Sequence, residues 1–416
     1  MNLLEKAAAN QLKPTGEIKK LSIPKHVNDK YDVYAIPLKY LYYNDQNGRI
    51  NTLYKKYSSV NGLIEPEIGD SEYNRIFEKI INESNEKAMK ETKKSIIEKT
   101  QQEPGVVLAD GRVIDGNRRL TALRMIEKET GISQEFNAVI LRLDAKTDEK
   151  IIKELELDLQ LGREERVSYD PIDRIFDVYN TIIVEEIMSI EEYKKASGAK
   201  NARGINRDIR LAELIIKLIE IISPGGRPLD KFYLARDLKL DGPIEEIERT
   251  ITNLNNNNNN KESIKEATLV YLATSKTADN QNDLTRIMRE FKMNILQNDE
   301  RLNYFLDVVD DKVDVIMEAF QDNPIQSANE LKLILEQDSK VQKNVNGLIK
   351  STNKIINKGI IENDRTRALK ELESVMNSLI EIRAEDFLDL TIDEIVDARG
   401  LIKEINDYLY RLKREI

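Results

Sequence analysis

With 416 residues, the chain is too long for one ordinary domain, and its formal net charge of −10 argues against a surface covered with nucleic-acid contacts. The absence of cysteine excludes disulfides, thiolate nucleophiles and cysteine-ligated metals, and a single histidine argues against histidine-rich metal sites and serine–histidine catalysis. No apolar run is long enough to cross a membrane and the first residues lack the apolar core of a secretory signal, so we expect a globular cytoplasmic protein without a membrane partner.

The first predicted elements lie in the N-terminal hundred residues. Residues 1–28 predict a polar tail in which His26 is an ordinary surface residue. The stretch from Tyr31 to Tyr43 is rich in β-branched and aromatic side chains and predicts a strand, which the turn-forming residues from Asn44 to Gly48 end. Isoleucines at helical spacing then predict helical structure over residues 71–100.

A hairpin is predicted between Val106 and Ile114, where two apolar runs flank the pair Asp110-Gly111. Aspartate and glycine tolerate the positive φ that a two-residue type I′ turn requires. After a sharp turn at residues 115–117, an apolar face predicts a helix, and Phe136 to Leu143 predicts a further strand. Strands alternating with helices indicate one domain of mixed α and β structure over residues 29–160.

The rest of the chain has no clear strand pattern and predicts an all-α region, divided at residues 161–222, 223–310 and 311–416. The breaker from Ser223 to Pro228 separates two of these segments. The last segment carries apolar residues at spacings of three and four, and two interpretations stay open, an internal helical bundle and a dimerising seam. These residues are Leu369, Leu372, Met376 and Leu379, and then Ile395, Ala398, Ile402, Ile405 and Leu409.

The sequence Gly116-Asn117-Arg118-Arg119 is a candidate phosphate site. Gly116 allows the turn from strand to helix, and Asn117 is a good N-cap residue. The two arginines then fall in the first helical turn, where a cation is unfavourable by about 0.3–1 kcal/mol. A bound anion would remove that conflict, because helix N–H groups and a guanidinium would converge on it. The alternative is that both arginines pair with surface carboxylates.

A helix-turn-helix is predicted around Gly198. Ser189 to Glu192 begins a helix with a capping pattern, and residues 201–215 form the second helix. Polar and basic side chains directly before and along this second helix could reach DNA phosphates or base edges. They are Lys200, Asn201, Arg203, Asn206, Arg207 and Arg210. An ordinary helical hairpin with a solvated basic face is the alternative.

Four segments, in order, resemble the ParB partition proteins. VVLADGRVIDGNRRLTALRM, from Val106 to Met125, resembles their G-E-R-R box, and residues 36–49 resemble the N-P-x-Q-P-R box. Residues 92–99 are similar to the helix before the box, and residues 158–173 to the stretch E-N-x-Q-R-E-D-L-N-P-I-E. The resemblance covers about residues 30–215 and implies an α+β ParB/sulfiredoxin-like domain followed by an all-α region with a helix-turn-helix.

The resemblance implies a nucleotide, CTP or ATP with Mg²⁺, bound at Gly116, Asn117, Arg118 and Arg119. Arg49 and Arg163 would be supporting basic groups. Two positions differ from the ParB pattern. Asn117 stands where the ParB box has glutamate, and Asp158-Leu159-Gln160 replaces the ParB E-N pair. Sulfiredoxins share the fold but use a cysteine, so their chemistry is excluded here.

Three functions remain open at this stage. The first is a nucleotide-responsive DNA-binding protein, expected to be a homodimer and nucleoid-associated, with a role in partition, transcription control or mobile-element defence. The second is an enzyme, either an NTPase or a metal-dependent nuclease, with metal or base carboxylates among Asp110, Asp115, Asp158 and Glu164. The third is a non-catalytic adaptor that binds a protein through its C-terminal helices.

Overall fold

The computed structural model describes residues 2–23, 29–64, 66, 71–161, 170–254, 260–277 and 283–416. The chain divides into two units, Met1–Asn353 and Lys354–Ile416. His26, Arg163 and Glu164 lie outside the described residues. None of the described helices combines the length and hydrophobicity that crossing a bilayer requires.

A six-stranded mixed sheet lies in the N-terminal part of the first unit. Its strands are β1 Lys13–Lys20, β2 Lys30–Pro37, β3 Tyr42–Tyr43, β4 Gly105–Leu108, β5 Arg112–Asp115 and β6 Glu135–Leu141. Their order across the sheet is β1-β2-β6-β4-β5-β3. The pairs β1–β2, β2–β6 and β4–β5 are antiparallel, whereas β4–β6 and β3–β5 are parallel.

Helices make up most of the remaining described residues. They are α1 Leu3–Ala8, α2 Asn51–Asn61, α3 Ser71–Ser84, α4 Glu86–Lys99, α5 Asn117–Thr130, α6 Glu149–Leu161, α7 Pro171–Tyr179, α8 Ile190–Ser197, α9 Arg203–Ile222, α10 Tyr233–Asp237, α11 Asp241–Thr252, α12 Lys261–Thr277, α13 Leu284–Phe291, α14 Asp299–Asp322, α15 Ala328–Gln337, α16 Ser339–Glu381 and α17 Ile392–Glu415. Among the described residues no strand follows β6, which confirms the predicted order of a mixed α and β part before a helical part.

Helices cover both faces of the sheet, because successive strand residues point to opposite sides. Val107 and Val113 face a core that includes Phe77 of α3 and Leu120 of α5. Val106, Leu108, Ile114 and Val139 face the other side, where Ile152, Leu155 and Leu159 of α6 pack. The end of β5, which leads into α5, therefore lies between α3 and α5 on one face of the sheet and α6 on the other.

The described part of the N-terminal segment is ordered structure and not the tail that the sequence predicts. Leu3 and Leu12 are buried in the core, and β1 pairs with β2 along the edge of the sheet. Most β1 side chains are exposed, so the strand lacks the alternation of apolar residues that would reveal it. Its antiparallel pairing with the next strand, β2, adds an edge strand to the sheet without burying an apolar face of β1.

Two further predictions need correction in detail. The strand predicted from Tyr31 to Tyr43 is interrupted after Pro37, which lacks an N–H donor, and a one-turn 3₁₀ helix, Leu38–Tyr40, separates β2 from β3. The hairpin between β4 and β5 is confirmed, but its loop has three residues. Of these only Gly111 has a positive φ, which fits a type I turn followed by a bulge and not a type I′ turn.

Candidate anion-binding site

The turn from β5 into α5 depends on Gly116. This residue has φ +99° and is the N-cap of α5, so the prediction that Asn117 is the N-cap is wrong and Asn117 is the first helical residue. A Cβ atom at Gly116 would lie 2.7 Å from the ring of Phe136 and 3.0 Å from the guanidinium of Arg119. The backbone can therefore make this turn only with glycine, and the turn directs the first N–H groups of α5 toward the neighbouring cleft.

The two arginines of the first helical turn have different surroundings. Arg119 donates to Asp115, with Nη2 and Oδ2 3.0 Å apart. Arg118 makes no ion pair or hydrogen bond with any described residue. Burial, together with the nearby charges of Arg49 and Arg119, lowers the pKa of Arg118 to about 10. Of the two interpretations of this pair, carboxylate pairing therefore holds for Arg119 and does not hold for Arg118 within the described residues.

A cleft of about 410 Å³ lies in front of these residues. Gly116, Asn117, Arg118, Arg119 and Arg49 all line it, so the structure brings together five of the six residues for which the sequence predicts phosphate contacts. Arg163, the sixth, is outside the described residues.

Asn117 carries an unused polar group into this cleft. Its side chain is only 8% exposed, and its Oδ1 atom has no hydrogen-bond partner within the described structure. A buried polar atom without a partner costs about 1–3 kcal/mol. Since the oxygen and nitrogen of an amide are assigned and not observed, this group can act as donor or acceptor to a ligand.

Glu156 of α6 fixes the loop that contributes Arg49 to the cleft. The carboxylate is buried and accepts hydrogen bonds from the backbone N–H of Gly48, at 3.2 Å, and from the side chain of Gln160, at 2.9 Å. Gln160 itself lines the cleft. Sequence analysis did not find Glu156, although a charged residue among the leucines and isoleucines of the inner face of α6 was a usable signal.

A buried charge cluster extends from Glu156 toward the helical part. Lys153 lies 3.8 Å from Glu156 and donates to Asp177 of α7 at 2.6 Å, and Tyr193 of α8 donates to the same aspartate at 3.1 Å. Burial raises the pKa of Glu156, and the two carboxylates outweigh burial to raise that of Lys153. This cluster links α6, α7 and α8, and it joins residues too far apart in sequence to be predicted.

The three described carboxylates among those proposed for catalysis do not form one group. Asp115 pairs with Arg119 at the cleft, whereas Asp110 lies in the hairpin loop and accepts from the hydroxyl of Tyr42. Asp158 is exposed on α6, and Glu164 lies outside the described residues. Among the described residues no three acidic or histidine side chains form a group that could hold a metal ion by themselves.

The predicted helix-turn-helix residues fall into two groups. Ser189 and Glu192 form the predicted capping box at the start of α8, and Gly198 has the predicted turn conformation with φ +69°. Beyond this turn, three of the predicted DNA contacts are exposed, namely Lys200, Asn201 and Arg203. The other three are engaged within the chain: Arg207 pairs with Glu245 and Arg210 with Glu248, both of α11, and Asn206 donates to the carbonyl of Ala202.

Comparison with known proteins gives a distant similarity to solved structures. No protein-family model matches the chain, and no curated protein matches it. Among solved structures, the chain is similar to one crystal form of a Pnob8-like ParB-N domain, with 14% sequence identity and a TM-score of 0.32. The match covers 67% of this chain and 97% of the ParB-N chain. A TM-score of this size describes a distant likeness and no more.

Proposed function

We propose that the first unit binds a phosphorylated ligand, a nucleoside triphosphate, in the cleft at the start of α5. The observation that carries this proposal is Arg118, a largely buried guanidinium with two other arginines beside it and no carboxylate partner among the described residues. The positive charges of Arg49 and Arg119 repel that of Arg118, and the positive end of the α5 dipole adds to the repulsion. A polyanion in the cleft would convert each of these unfavourable terms into a favourable one.

A triphosphate with Mg²⁺ fits this set of groups better than a single small anion does. The cleft is lined by the guanidiniums of Arg49, Arg118 and Arg119, of which Arg119 also pairs with Asp115. Asn117 and Gln160 offer amides for a further polar part of the ligand. Magnesium is usually held by phosphate oxygens and water together with only one or two carboxylates. It therefore does not require a preformed group of three acidic side chains. CTP and ATP are the nucleotides that we propose to test first.

The experiment is a calorimetric titration of the full chain with CTP, ATP and GTP in the presence of Mg²⁺. Loss of a charge-assisted phosphate contact costs roughly 1.5–3 kcal/mol, so Arg118→Ala should weaken binding by about tenfold or more. The matched control is Arg142→Ala, because Arg142 is exposed and does not line the cleft. Its affinity should equal that of wild type. Absence of binding by folded wild-type protein, with and without DNA, would refute the proposal.

A second proposal, DNA binding, is favoured by the exposed residues that follow the turn after α8. Lys200 and Asn201 lie just before α9 and Arg203 is its first residue, so their side chains and the helix N–H groups can both contact a phosphate. Arg207 and Arg210 are paired with α11, so we do not assign them base contacts. Fluorescence anisotropy with duplex DNA tests this assignment. Arg203→Ala should weaken binding and reduce the salt slope by about 1, whereas Arg207→Ala should leave both nearly unchanged.

A further inference from the structure

The last helix carries a regular apolar seam. In α17, Ile395, Ala398, Ile402, Ile405, Leu409 and Leu412 alternate at spacings of three and four residues, and we call these six residues the α17 seam. A seven-residue repeat is typical of helices that pack against each other in a left-handed supercoil. No α17 side chain is buried, and Ile402 and Ile405 of the seam are 52% and 39% exposed.

We propose that the α17 seam pairs with the same seam of a second copy of this chain, in a parallel, in-register, two-stranded coiled coil. This proposal does not depend on the anion site, since the residues of that site precede residue 161. Isoleucine at the first position of the repeat with leucine at the fourth favours two strands in a parallel coiled coil, and the seam has the first feature at Ile395 and Ile402 and the second at Leu412. Gly400, the residue least suited to a helix, falls on the outer face, where nothing packs against it.

Charges beside the seam favour a second copy in the parallel orientation. Glu394 precedes the seam and Arg399 follows its second residue, and in a parallel pair these two positions face each other across the interface, twice by symmetry. In an antiparallel pair Glu394 would instead face Glu415 of the other copy. Opposite charges in one orientation and like charges in the other therefore select the parallel dimer.

The first test measures molar mass in solution by light scattering after gel filtration. Wild type should have twice the mass of one chain. Ile402→Asp places a charge in the seam and should raise the dimer dissociation constant by roughly a hundredfold or more. The matched control is Val396→Asp, the same kind of change on the same helix but outside the seam, at a residue that is 61% exposed. It should remain dimeric.

The second test determines the orientation and uses the lack of any native cysteine. Ile395→Cys and Leu412→Cys each introduce a single thiol at opposite ends of the seam, about 26 Å apart along the helix. A disulfide requires Cα atoms within about 7 Å. In a parallel dimer each variant crosslinks to itself under mild oxidation. Crosslinking only in a mixture of the two variants would overturn the parallel orientation.

Two other outcomes would overturn the proposal as a whole. A wild-type chain that is monomeric at every concentration would leave the seam without a second copy. A dimer whose mass is unchanged by Ile402→Asp would show that the copies meet elsewhere. Nucleotide titration of Ile402→Asp should match wild type, so failure of the anion-site proposal and failure of this one are distinguishable.

Discussion

At the scale of single residues, Arg118 shows how a binding site can be unfavourable for the empty protein. Folding lowers the pKa of its guanidinium from 12.5 to about 10, so the charged form is less favourable in the folded protein than in the unfolded chain. At neutral pH the charge therefore costs stability, and this cost would begin to fall only as the pH rises through the folded pKa, or would be removed by neutralisation. Such strain is expected where a ligand supplies the missing charge.

Neutralising Arg118 should therefore stabilise the empty protein. Arg118→Gln should raise the free energy of unfolding by on the order of 1 kcal/mol, after allowance for solvent screening. Urea denaturation without ligand measures this change, and Arg142→Gln is the control that should have no effect. Added pyrophosphate should stabilise wild type but not Arg118→Gln. A destabilised Arg118→Gln protein would show that the guanidinium makes favourable contacts in the empty site.

Gly116 allows a second test at this scale. Gly116→Ala would place a methyl group 2.7 Å from Phe136 in addition to forcing a positive φ on alanine, and we expect a loss of roughly 2–4 kcal/mol. Gly131 ends the same helix with φ +69° and open space around it, so Gly131→Ala should cost only about 1 kcal/mol. Equal losses in thermal unfolding of the two variants would show that the close approach to Phe136 has no energetic effect.

At the scale of elements, local chemistry made the centre of the site predictable. The hairpin around Asp110-Gly111, the turn at Gly116 and the arginines of α5 lie within a dozen residues, so their arrangement follows from turn and helix geometry. Arg49 was predicted only through the resemblance, because no local pattern places it beside Arg118. Sequence reasoning failed for β1, whose mostly exposed side chains lack an apolar alternation, and for Glu156, whose contact with Gly48 joins residues more than a hundred positions apart.

The buried cluster around Lys153 should contribute strongly to the packing of α6 against α7. Lys153→Met leaves Glu156 and Asp177 buried without their shared cation, a change that typically costs about 3–5 kcal/mol. Lys150 lies one turn earlier and pairs with Glu192 on the surface, so Lys150→Met should cost less than about 1 kcal/mol. Urea denaturation compares the two variants. Similar losses would show that the buried carboxylates become protonated or solvated when the lysine is removed.

At the scale of the whole molecule, the two units differ in how their apolar residues are used. The first unit buries aromatic and aliphatic side chains from the sheet and from successive helices. In the second unit, Ile355 and Ile356 are buried, but many later apolar residues are exposed, including Leu369, Met376 and Ile402. Exposed apolar surface of this extent is uncommon in a protein that functions alone and indicates an association surface.

Removing α17 should therefore separate association from folding. A chain that ends after Leu390 loses no buried side chain, so at low concentration its thermal midpoint should lie within a few degrees of wild type. The midpoint of wild type should rise with protein concentration, because dimer formation stabilises the folded state, whereas that of the shortened chain should not. Nucleotide affinity should be equal in the two proteins. If the shortened chain unfolds at a much lower temperature at every concentration, α17 stabilises the folded monomer, and its exposed seam would need another explanation.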